Sequence, residues 1–252
     1  MFAQALDRWP ADGSPDRPGA WILTTARRRA LDRLRRARRA DARAEALVYE
    51  SELATMNEMP QEPEVRGLLA LMELQASRGT ARTDAQGNLV LLADQDRSRW
   101  DHARIVRGLA LLERAESLAS AGPYQFQAAI AACHARADSW EATDWARIVD
   151  LYIALAGVAP SPVVELNRAV AIGLARGPLA GLAALDAIDV SALREYHLLP
   201  AARADFLRRL GRRAEAASEY RRALGLADNA REQAFYERRL AACDDGVSDR
   251  ER

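Results

Sequence analysis

The chain has 252 residues, 49% of them hydrophobic, with 36 basic and 36 acidic side chains. That is enough apolar material for one large or two small cores, and a net charge of zero excludes nucleic-acid binding by overall charge. Two cysteines, Cys133 and Cys243, are too few for a disulfide framework or a zinc ribbon, and no apolar run reaches the ~18 residues of a membrane span.

In chain order, Met1 to Arg8 reads as the last turns of a helix, and no charged-then-apolar leader is seen. A reducing cytoplasm is therefore the expected setting. A proline-rich loop follows, and then an arginine-loaded helix from Pro18 to Arg39. Pro18 suits the first turn, and acidic Asp16 suits the positive helix end. At ~1.5 Å per residue the helix is about 30 Å long. Its phase puts Leu23, Ala26, Ala30, Leu34 and Ala37 on one stripe, with Leu31 at the edge. Trp21, Arg28, Asp32, Arg35 and Arg39 fall opposite, flanked by Thr25, Arg29 and Arg36. A row of planar guanidinium forks on one rod suits a phosphate backbone. The same pattern also describes a solvated face, with Asp32 pairing Arg28 and Arg36 at four-residue spacing.

The block from Leu6 to Arg36, with Trp9 and then Asp16-Arg17-Pro18-Gly19-Ala20-Trp21-Ile22-Leu23-Thr24-Thr25-Ala26-Arg27-Arg28-Arg29-Ala30-Leu31-Asp32-Arg33-Leu34-Arg35-Arg36, resembles the end of region 2 of bacterial extracytoplasmic-function sigma factors. In that family this loop and helix bind the −10 promoter element and hold its melted strand. The resemblance implies a role for the loop Asp12 to Pro18. It makes Trp21, Thr24, Arg28, Arg29, Asp32, Arg35 and Arg36 the candidate DNA-binding residues. It also implies core RNA polymerase and promoter DNA as partners. The family's polymerase-gripping part of region 2 is expected to be missing before Met1. Region 4, the helix-turn-helix that reads the second promoter element, has no room between Arg39 and Pro60.

Ala40 to Pro63 is polar and reads as a helix extension ending at the prolines. Glu64 to Ser77 reads as a helix with Val65, Leu68, Leu69 and Met72 on one side. Gly79 to Trp100 breaks the helical period. Gln86-Gly87-Asn88 is a turn signal before the apolar run Leu89 to Leu92, so a hairpin or an extended loop is expected. Asp94, Asp96, Arg97, Arg99, Trp100, Asp101 and His102 cluster here, and capping by Asp96 or Ser98 with Arg–Asp pairing is preferred over catalysis. The spacing then predicts helices over Asp101–Ala119, Pro123–Arg136, Thr143–Ala156, Pro162–Ala175, Pro178–Ala187, Tyr196–Leu210, Arg212–Leu226 and Asn229–Ala242. Proline opens three of them, and Gly122, Gly157, Gly177 and Gly211 are placed at breaks.

Ala204, Leu207, Gly211, Ala216, Tyr220, Ala223 and Leu224 match the spacing of a tetratricopeptide repeat, and Trp145 to Ala175 reads as a looser copy. The segments PEVRGLLALMEL, ARTDAQGNLVLLADQDRSRWD, GPYQFQAAIAACHA, TDWARIVDLYIALAGVAPSPVVELNRAVAI and YHLLPAARADFLRRLGRRAEAASEYRRAL resemble the helical, tetratricopeptide-like C-terminal extension of one subgroup of these sigma factors. That likeness covers Pro63 to Ala242.

The expected architecture is all-α: a basic helix followed by antiparallel helical hairpins stacked as a tetratricopeptide-like solenoid. Residues 1–45 form the sigma region 2 remnant, 46–62 a linker, 63–243 the helical domain and 244–252 a disordered tail. The expected role is in transcription initiation, with the helical domain regulating activity through a protein bound to its repeats. The alternative is an interaction module, derived from a sigma factor, that does not bind DNA. No enzyme, cofactor or metal site is expected. Cys133 beside His134 reads as core packing, and His197 beside Tyr196 as structural.

Overall fold

The computed structural model describes residues 63–118 and 121–248. The arginine helix and the linker expected over 46–62 lie outside them. The described residues are all-α, with nine helices: α1 Pro63–Ala76, α2 His102–Glu116, α3 Pro123–Arg136, α4 Trp145–Val158, α5 Pro162–Arg176, α6 Pro178–Asp186, α7 Leu198–Arg209, α8 Arg213–Leu226 and α9 Ala230–Ser248. Among the described residues no strand forms, and no helix is long and apolar enough to cross a membrane.

The starts follow the expected chemistry. Asp101, Asp144 and Ser161 each accept from a backbone N–H three residues on, at 3.0, 2.8 and 3.2 Å. Pro123, Pro162 and Pro178 open α3, α5 and α6. Gly177 and Gly211 take left-handed backbone at φ 96° and 75°. Around Gly211 the Arg212 N–H donates to the Leu207 carbonyl and the Gly211 N–H to that of Arg208, the paired bonds that close a helix and turn the chain. Gly157 departs from expectation: α4 runs through it to Val158. The last helix passes Ala242 and continues to Ser248, so it includes 244–248 of the expected tail.

From α2 onward each helix packs on the next in sequence. The contacts depend on small residues. Ala204, Ala216 and Ala223 are wholly buried between α7 and α8, with Tyr220 beside them. Gly108 of α2 lies on Leu74 of α1, where an added methyl would sit 2.8 Å from Leu74 Cγ. Buried Glu73 of α1 binds Arg104 and Arg107 of α2, each at 3.3 Å. The closest approach is between α5 and α6. A methyl on Gly173 would lie 3.0 Å from Gly181 Cα and 2.2 Å from Phe206 Cζ, so the Phe206 ring of α7 covers a glycine-to-glycine contact. One buried cluster gathers around Phe206, Tyr220 and Tyr236, and another around Ile148, Leu151 and Leu155. His197 is structural as expected, with Nδ1 2.8 Å from the Tyr236 hydroxyl and Nε2 3.4 Å from Glu232.

Gly173→Ala is expected to cost about 1–3 kcal/mol in urea unfolding, because overpacking here meets a ring and a backbone rather than a flexible side-chain end. Phe206→Leu in the same chain should recover part of that loss, and a strictly additive double mutant would refute the shared contact.

Candidate functional site

The candidate DNA-binding residues Trp21, Thr24, Arg28, Arg29, Asp32, Arg35 and Arg36 lie outside the described residues. Within them, chemistry-bearing side chains gather where the loop between α1 and α2 crosses the end of α3.

The loop is built by local polar bonds. Asp84 accepts from the backbone of Gln86 and Asn88 and from the Asn88 amide, forming a tight turn with Gly87 at φ 82°. Thr83 and Leu89 make an isolated antiparallel bridge across it. Three short 3-10 turns, at Gly79–Ala81, Leu92–Asp94 and Arg97–Arg99, carry the rest. The ends are tied: the Asp101 N–H donates to the Ser77 carbonyl at 2.9 Å, and Thr80 and Arg99 exchange side-chain-to-carbonyl bonds at 2.7 and 2.6 Å.

The expected capping is present, since Asp96 accepts from the Ser98 N–H and hydroxyl. Arg–Asp pairing forms at Asp101, which binds Arg104 of α2 at 3.3 Å, but among the described residues Arg97 pairs with no aspartate. Arg97 Nη1 instead donates to the carbonyls of His134 and Ala137, at 2.5 and 2.9 Å, where α3 ends. A helix C-terminus presents unsatisfied carbonyls and a partial negative charge, and it competes well with exposed carboxylates for a guanidinium. His102 opens α2 on the surface and takes no part.

Trp100 is 4% exposed and lies under two guanidinium groups, with Arg97 Cζ 4.6 Å and Arg78 Cζ 5.8 Å from the ring centroid. Past Arg97, the His134 ring meets Trp145 edge-on at 5.2 Å and lies parallel to Trp140 at 6.3 Å. Trp140 and Trp145 are 4.5 Å apart. Burial, then the charges of Arg82 and Arg97, lower the Arg78 pKa to about 10. Burial, then Arg78 and Arg97, lower that of His134 to about 4, so its imidazole is neutral at ordinary pH. His134 is half-buried against Trp140 and Trp145, and among the described residues no group of His, Cys, Asp and Glu is placed to hold a metal. Arg78, Arg82, Trp140 and Trp145 were missed as partners because local periodicity does not encode contact between residues so far apart in sequence. The available signal was that three of the five tryptophans fall in this domain.

A second feature is a groove of about 510 Å³ between α6, α7 and α8, lined by Leu179, Leu182, Asp186, Arg203, Leu207 and Arg212 among others. Leu179 is 67% exposed at its edge, and Arg203 binds Asp186 at 2.6 Å.

Residues 28–116 match a family of unknown function, DUF6596. The chain is also similar to an uncharacterized protein of Rhizobium meliloti (strain 1021), 48% identical over 183 residues. That stretch is 72% of this chain and 43% of the relative, so the chain spans less than half of the relative's length. No solved structure matches.

A neutral buried histidine makes stability fall with acid. The unfolded chain takes up the proton near pH 6.5 and the folded chain only near 4, so His134 contributes fully above about 6.5 and its contribution is lost as pH falls toward 4. The loss over that window is expected to be on the order of 3 kcal/mol. His134→Gln should flatten urea midpoints measured from pH 7 to 4, and an unchanged profile would count against a neutral His134.

Proposed function

We propose that this protein is a sigma-factor-like component of transcription initiation. Its arginine helix would contact promoter DNA together with core RNA polymerase, and its helical domain would regulate that contact. The observation that carries the reading is the dense match from Asp16 to Arg36 to the −10-binding part of region 2, with Arg28, Arg35 and Arg39 on one face beside Trp21. Two findings support it. The family match begins inside the arginine-rich segment and continues through α2, so the basic segment and the start of the helical domain recur together. The Rhizobium relative is more than twice as long as the matched stretch, so that protein has room for further regions. On the helix that the spacing predicts, arginine forks would bind successive phosphates, and Trp21 would offer an aromatic face to an unstacked base. Helices packed each on the next suit a solenoid.

The second reading is an interaction module without DNA contact, favoured by the groove at exposed Leu179. Its mixed lining of leucines, Asp186 and two arginines suits a peptide with both apolar and charged positions.

Promoter DNA binding by the full chain, with core polymerase present, tests the first reading. The triple variant Arg28→Glu, Arg35→Glu, Arg36→Glu should abolish it, and binding by the intact chain should weaken about tenfold per tenfold rise in salt for each phosphate neutralised. Binding unchanged in the triple variant rejects that reading. For the second, Leu179→Asp should lose a protein partner that the intact chain recovers from extract. Recovery of nothing above background by the intact chain rejects it.

A further inference from the structure

Three arginines of the α1–α2 loop gather around one indole and one amide rather than around an acid. Arg104, Arg203, Arg208, Arg212 and Arg222 each stand against a carboxylate. Arg78 and Arg82 instead share a neutral acceptor. Both donate through Nη2 to Gln75 Oε1, at 2.5 and 2.8 Å, and Arg82 donates again to the Gln75 carbonyl at 3.0 Å. Arg97 completes the group, since it and Arg78 both lie over the Trp100 ring. Among the described residues, no carboxylate reaches ion-pair distance of Arg78, Arg82 or Arg97. Asp138 and Glu141 act on Arg97 only at longer range.

Two donors in the group are also buried without an acceptor, Arg97 Nη2 and the indole Nε1 of Trp100, itself 4% exposed. A buried donor without a partner is costly, and each guanidinium brings up to five N–H groups. A single amide oxygen cannot satisfy two charged forks. Arg82 is exposed and Arg78 and Gln75 are half-buried, so the cluster is open on one side.

We propose that Arg78, Arg82 and Arg97 form a phosphate-binding site, in which a phosphate group supplies the negative charge that Gln75 does not. A carboxylate has two oxygens, which one fork can occupy. A tetrahedral phosphate offers further oxygens in other directions, and so suits three forks arriving from different points of one loop. The proposal uses none of the arginine-rich residues 18–39, and it stands or falls independently of the promoter reading. The phosphate comes either from a nucleic-acid backbone or from a free phosphate compound.

The test is Gln75→Glu in the full chain. The new carboxylate would lie between Arg78 and Arg82 and compete with the ligand from inside. The variant should melt at a higher temperature than the parent without phosphate. Titration with sodium phosphate, against sodium chloride at matched ionic strength, should saturate in the parent and weaken at least about tenfold in Gln75→Glu. Arg82→Gln, a change at an exposed position, should weaken it too without the added stability. Duplex DNA is the second arm, since Gln75→Glu would lower the slope of log affinity against log salt by about one if the site holds a backbone phosphate. An unchanged slope with lost phosphate binding identifies a free phosphate compound. The proposal is overturned if the parent and both variants respond alike to phosphate, as a general salting effect would require, and the DNA slope is also unchanged.

Discussion

The helical domain depends on how closely its helices approach. Where α5 meets α6, Gly173 and Gly181 bring two backbones together, and the Phe206 ring of α7 closes over the contact. Three helices are thereby fixed by one aromatic ring and the absence of two side chains. The same economy recurs at Gly108 on Leu74, at Gly67 on the backbone of Gln125, and at the wholly buried alanines of α7 and α8. Helices with small residues at the seam pack at short distance, and their dispersion contacts accumulate over many atoms. Specificity comes from the few large side chains, Phe206, Tyr220 and Tyr236, that fill what the small ones leave.

The α1–α2 loop works by different physics. It has few buried apolar residues, and it is held by polar bonds to backbone: Arg97 at the end of α3, Arg99 at Thr80, and Asp101 at Ser77. Arginine suits such a task because its fork reaches two carbonyls at once and its plane stacks on an indole. The loop's four arginines and four aspartates balance, but Arg78, Arg82 and Arg97 gather around Gln75 and Trp100 while Asp84, Asp96 and Asp101 cap turns and α2.

The two functional readings draw on different parts of the molecule. The promoter reading rests on the arginine-rich segment and its resemblance to sigma region 2. The interaction reading rests on the groove beside Leu179. They exclude each other on one point, since only the first has the chain touch DNA.

The sequence by itself determined the helical class, the helix starts at Pro123, Pro162 and Pro178, the turn at Gly211 and the buried set Ala204, Ala216, Tyr220 and Ala223. These are local matters: periodicity selects the face, proline fixes the entry, and glycine allows the left-handed turn. Tertiary structure decided the rest. It turned Arg97 from an expected aspartate to the carbonyls of α3, gathered Trp100, Trp140, Trp145 and His134 at one junction, and set Phe206 over two glycines. The reason is physical. Such contacts join residues far apart along the chain, and their partners are chosen by which helix ends and faces remain unsatisfied once the helices have packed.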